Sequence, residues 1–164
     1  MLSAKSGSVA NSNRGVFFDV FNSAGEVTEA RIIMDIIPSN MFKQSPGSYS
    51  MFPSIQKLLV QTDTVGSGAF TYAFKGPKVK IKSKNLNAYC FTDVATTKFW
   101  LSDDVEIISA PSYTYSPFYN SSASLYCEAE AKKDGWGNYW NYSGRGSVQP
   151  TMWGVSEEQF DALE

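Results

Sequence analysis

At 164 residues the chain is in the range of one domain, long enough to bury roughly two thirds of its unfolded surface without a disulfide or metal staple. Its 14 Lys and Arg against 16 Asp and Glu leave a net charge of -2, which excludes a global attraction to nucleic acid or an anionic membrane. The absence of histidine excludes Ser-His-Asp, Cys-His and His-metal chemistry.

With 4 Trp, 9 Tyr, 11 Phe and 22 Ser, and with Gly, Asn and Thr between short apolar runs, the composition predicts an all-β or β-dominated fold. The expected architecture is a single sandwich, jelly-roll or barrel domain with an extended N-terminal arm and a short C-terminal helix. No internal repeat of fixed period is visible.

Residues 1–14 are small, polar and aperiodic and read as a flexible or partner-binding arm ahead of a β domain over 15–155. The first residues, Met1 to Ser8, lack the apolar core of a secretory signal. No apolar run approaches the ~20 residues that span a bilayer, so no membrane span is expected. Val16 to Phe21, the turn Asn22 to Gly25, and Glu26 to Ile37 read as a hairpin, and the nearly continuous apolar run Arg31 to Ile37 argues that at least part of that strand is covered on both faces.

Residues 38–54 form a long loop studded with Met41, Phe42, Tyr49, Met51 and Phe52. Ser54 to Val60 fits either helical turns or a short strand. After Gly66-Ser67-Gly68, Ala69 to Phe74 reads as a strand.

The sharpest local signal follows. Lys78, Lys80, Lys82 and Lys84 occupy every second position, so a strand here carries four ammonium groups on one face and turns Val79 and Ile81 inward. With Lys75, five of the fourteen cationic residues lie within ten positions. One reading is an edge strand whose charges block unwanted pairing. A second is a docking stripe for an acidic surface, for which Glu157, Glu158, Asp161 and Glu164 offer a candidate complement on another copy. A third, a phosphate track, is disfavoured because no aromatic or base-reading group shares that face.

Ala88 to Thr92, Lys98 to Leu101, Val105 to Ser109 and Ser124 to Lys132 read as further short strands, and Pro111 to Asn120 as an edge-like or looped stretch holding Tyr113, Tyr115 and Phe118. Residues 134–146 hold Trp136, Tyr139, Trp140 and Tyr142 among four glycines. They are read as a hairpin filling the core, a protein interface, or a platform on which sugar rings stack. Ser156-Glu157-Glu158-Gln159 has the capping-box pattern and predicts a short acidic helix within 156–164, from Glu157 to Leu163.

Cys90 and Cys127 are too few for a disulfide framework or a zinc site and read as half-buried thiols. Phosphate-loop, dinucleotide and calcium-loop patterns are missing, and the densest acidic cluster, Asp103, Asp104 and Glu106, reads as a solvated turn. No catalytic, cofactor-binding or metal-binding residue is singled out, so the expectation is a protein that is not an enzyme.

The leading expectation is a structural subunit of a larger assembly such as a virus or phage particle, as a capsid, decoration or tail protein. Its partners would be other copies or other subunits, and its place the virion or the host cytoplasm. The alternative is a carbohydrate-binding or adhesive module using the tract Trp136 to Tyr142. The candidate partner-binding residues are Lys78, Lys80, Lys82, Lys84, Trp136, Tyr139, Trp140 and Tyr142.

Overall fold

The computed structural model describes residues 28–46, 55–95, 97–108, 112–144 and 147–164. Strict alternation makes Lys78–Leu86 a strand, β4, with Val79 and Ile81 fully buried and the lysines on the opposite face. Alternation also shapes β3 (Lys57–Val65) and β7 (Ala123–Cys127), and the rest of the main sheet is β1 (Glu29–Ile33), β2 (Ile36–Ile37), β5 (Thr97–Leu101), buried on both faces from Phe99 on, and β6 (Glu106–Ile107). Three short strands follow, β8 (Tyr142–Gly144), β9 (Ser147–Val148) and β10 (Thr151–Met152).

The pairing is parallel throughout the main sheet, in the order β1, β3, β4, β5, β7, β10, with β2 also on β3 and β6 also on β4. Parallel neighbours that are consecutive in sequence require the chain to travel once around between them. Glu29 lies beside Lys57, 28 positions on; Lys57 beside Lys78, 21 on; Lys78 beside Lys98, 20 on; and Lys98 beside Ser124, 26 on. The fold is therefore a parallel β-solenoid. Mostly β structure with little helix holds, but the expected sandwich, jelly roll or barrel is corrected. Alternation specifies a strand without the direction of its neighbour, and the unequal coil lengths leave no fixed period to read.

The far side of each coil is built from turns. Ala69 to Phe74 and Ala88 to Thr92, expected as strands, are turn segments in which N–H groups alternate between closing a local turn and bonding to the next coil. Phe42 N–H donates to the Ala69 carbonyl, Phe70 to Cys90 and Phe91 to Pro117, each at 2.8 Å. This register stacks Phe42, Phe70, Phe91 and Phe118 with centroids 5.0, 5.3 and 5.8 Å apart and planes within 12°.

Tight corners demand left-handed backbone, supplied at one corner by Asn40, Gly68 and Tyr89 and at the next by Tyr72, Asp93 and Asn120, with φ between 53° and 66°. At Gly66 the coils touch: a Cβ would lie 2.7 Å from the Pro38 carbonyl carbon, so only glycine fits.

Inside the coils, Leu58, Val79, Phe99 and Leu125 form one column and Val60, Ile81, Leu101 and Cys127 the next. Each such side chain contributes about 1.5–3 kcal/mol by leaving water.

Of the expected hairpin, residues 16–27 lie outside the described residues, as does the arm over 1–14. Its second half forms β1 and β2, parallel to β3. Cover is partial along it: Ile32 and Ile37 are buried, Ile33 and Met34 are half-buried with Met34 packed against the core, and Arg31, Asp35 and Ile36 are exposed. The stretch left open as helix or strand enters β3 at Lys57, and Val105 to Ser109 narrows to β6. Trp136 to Tyr142 is mostly turn, with Tyr142 opening β8, which pairs antiparallel with β9.

Helix α1 (Glu157–Asp161) starts as the capping box requires: Gln159 N–H donates to Ser156 Oγ at 3.2 Å, and Ser156 N–H to Gln159 Oε1 at 2.8 Å. Among the described residues no helix is long and apolar enough to cross a membrane.

Candidate functional site

The lysine stripe lies in mid-sheet. β3 and β5 flank β4 on both sides, so edge protection does not account for its charges. What covers them is the chain's own C-terminal segment. Lys80 Nζ lies 2.8 Å from Glu157 Oε1 and 2.9 Å from Asp161 Oδ2, and Lys82 Nζ lies 2.6 Å from Glu157 Oε2. Lys78 Nζ donates to the main-chain oxygens of Phe160 at 3.4 Å and Asp161 at 3.2 Å, and also to Leu163. Lys98 donates to the main-chain oxygen of Glu164.

Apolar contacts complete the dock. Phe160 is fully buried with its ring 5.3 Å from Tyr126, and Trp100 Nε1 donates to the Val155 carbonyl at 2.8 Å. The segment from Val155 onward is thus a strap over several coils, anchored by one aromatic ring and a fan of lysines.

Electrostatics follow from this geometry. Hydrogen bonds from Lys80 and then Lys82 hold the Glu157 carboxyl below its ordinary pKa. Burial alone would lower Lys80, but its bonds to Glu157 and Asp161 outweigh that and raise it. Lys78 is lowered, first by burial and then by Lys98 and Lys57, its register neighbours on the adjacent strands. The column Lys57, Lys78, Lys98 therefore crosses the stripe at right angles. The sequence reading missed it because its members are a coil apart.

Lys84 reaches sideways to Asp63 at 2.7 Å. Of the four acids considered as the stripe's complement, Glu157 and Asp161 make the ion pairs, whereas Glu158 Oε2 accepts from Ser156 Oγ at 2.9 Å.

The aromatic tract divides. Trp136 and Trp140 are 2 % and 3 % exposed, with centroids 4.6 Å apart and Trp153 against both, so these two indoles plug the interior and present no face for a sugar. Tyr139 and Tyr142 are half-buried, edge to face at 5.0 Å.

Beside the strap runs a groove of about 690 Å³ lined by Gln61 and Asp63 of β3, Lys82 and Lys84 of β4, and Asp104 and Glu128 beyond β5 and β7. Glu157 forms part of its wall. These positions are scattered through the sequence and meet only because the coils stack, so no local motif announces them.

Elsewhere the chemistry is quiet. Cys90 and Cys127 are free and buried, and burial pushes Cys127 up to about 12 and Cys90 well above its usual value, which leaves no thiolate near neutral pH. Among the described residues no group of His, Cys, Asp and Glu is arranged to hold a metal ion. Asp103, Asp104 and Glu106 are exposed, with Glu106 paired to Lys133 at 3.2 Å.

No family model matches this chain, and no curated protein and no solved structure does.

Proposed function

We propose that the chain is a non-enzymatic structural subunit of a larger assembly, such as a virus or phage particle, as a capsid, decoration or tail component, residing in the virion or the host cytoplasm. The observation that supports this reading is the first described strand. Among the described residues β1 pairs on one side only, with β3, and such a strand edge is the kind to which a strand of another copy or another subunit adds. Coils that touch only their neighbours are lengthened by adding coils without altering the rest.

The lysine stripe has a narrower part in this reading. Lys78, Lys80 and Lys82 are held by the strap, so their docking to a partner requires the strap to leave. Light scattering on a sizing column, over rising concentration and with candidate particle components added, tests the reading. Masses above the 18.1 kDa of one chain are expected, and a monomer under all those conditions sinks it.

The second reading is a carbohydrate-binding module. It is supported by the surface Tyr139 and Tyr142 and by the open polar groove, and no longer by Trp136 or Trp140 as stacking platforms.

A further inference from the structure

We infer that the groove beside the strap is a binding site for a neutral or amine-bearing oligosaccharide, laid across the strands. The inference rests on the carbohydrate reading and not on the assembly reading, and it moves the site away from the tyrosine loop.

The first argument is register. Ile33, Gln61 and Lys82 are partners on adjacent strands, Ser102 follows them through its N–H bond to the Ile81 carbonyl, and Glu128 continues the line through its N–H bond to Leu101. Each coil therefore contributes side chains to the groove at the strand spacing of about 4.7–4.9 Å, close to the rise of one ring in an extended sugar chain.

The second argument is the kind of group displayed. Sugar hydroxyls both donate and accept, and the groove is lined by acceptors, Asp63, Asp104 and Glu128, and by donors, Lys82 and Lys84, which also bond to Glu157 and Asp63, while Gln61 offers both.

The third is what the groove withholds. Along its floor the backbone groups of β3 and β4 are committed to the ladder, so an extended peptide finds no strand edge there. Of the lining carboxylates Glu157 and Asp63 are paired with lysines, whereas Asp35, Asp104 and Glu128 have no ion pair among the described residues, and this surplus of negative charge repels uronate and sulfated sugars and favours neutral or cationic ones.

The test is titration calorimetry on the full chain with hexamers of glucose, N-acetylglucosamine, glucosamine and galacturonate. Saturable binding is expected for at least one of the first three and not for galacturonate. Asp104→Ala and Gln61→Ala, both at exposed positions, should each weaken it roughly fivefold, the loss of one hydrogen bond, with unchanged melting temperature.

No binding of any hexamer by the folded chain overturns the inference, and so does a preference for galacturonate. Binding that survives both groove variants but is lost in Tyr139→Ala assigns the sugar to the loop, and binding of an arginine-rich peptide in place of sugars assigns the groove to a polypeptide. Either result overturns it while leaving the assembly reading untouched.

Discussion

Lys80 is 23 % exposed between Glu157 and Asp161, at 30 % and 48 %, so its two ion pairs are partly screened by water and each is worth about 0.5–1 kcal/mol. Their pH dependence has a definite sign. The Glu157 pKa is depressed by docking, so its contribution is present above the undocked value of 4.5 and disappears as pH falls through the lower docked value. The Lys80 pKa is raised, so its contribution is present below 10.5 and disappears as pH rises through the docked value. The strap is therefore expected to hold across the neutral range and to loosen at both extremes. NMR shifts of the Phe160 amide followed down to pH 2.5 should show a transition with its midpoint below 4.5, and in Lys80→Met that midpoint should move toward 4.5. A midpoint indifferent to the substitution would falsify the assignment of Glu157 as the titrating group.

Among elements, the ladder of rings on the far side is the most sensitive. Phe91 is fully buried and packs against Phe70, Phe74, Phe99 and Phe118, so Phe91→Ala leaves a hole between coils that cannot close without shifting the ladder above and below. A loss of about 3–5 kcal/mol is expected from urea melts, whereas Phe91→Leu should cost clearly less because it keeps most of the volume. A small effect of the alanine variant would mean that the stack is not continuous.

These rings also show where sequence reasoning stopped. β4 and β5, the first half of the stretch Ser124 to Lys132, which ends as β7 at Cys127, and the start of the capped helix, which ends at Asp161, were legible because short apolar runs, alternation and a capping box are local signals. The role of Phe70 and Phe91 was not, because both sit in turns whose partners lie 20 or more positions away and whose spacing changes from coil to coil. The same limit hid Lys57 and Lys98 beside Lys78. The charge match between the stripe and the C-terminal acids was legible, but not that one chain supplies both sides. Trp136 and Trp140 could not be assigned to core or surface, because their tract forms a turn without the period that tells one face from the other.

At the scale of the molecule, the strap matters because of what a solenoid lacks. Each coil contacts only its neighbours, so stability spreads along the rod in nearest-neighbour steps and the last coil is the easiest to lose. The final main-sheet pairing is slight: β10 meets β7 through Thr151 and Met152 alone. The strap compensates by reaching back over that coil. Its Phe160 rests on Tyr126 of β7, Val155 accepts from Trp100 of β5, and Glu157 and Asp161 take the lysines of β4, so three strands are tied by one short segment. Removing 156–164 should then do more than delete a helix. It leaves β7 and β10 with their ladder, the core side chains of β7 and the bond from Trp100 to Val155, but without Phe160 and the lysine ties, and the truncated chain is expected to melt in two steps in urea, the coil of β7 before those of β3 to β5, where the full chain melts in one. Sodium chloride at 1 M, which shortens the screening length to about 3 Å, should move the full chain part of the way toward that behaviour by weakening the ion pairs while leaving Phe160 seated. Hydrogen exchange read strand by strand distinguishes the outcomes: early loss of protection in β7 with β3 retained supports the tie, and uniform loss in a single step shows that the strap rides on the solenoid without holding it together.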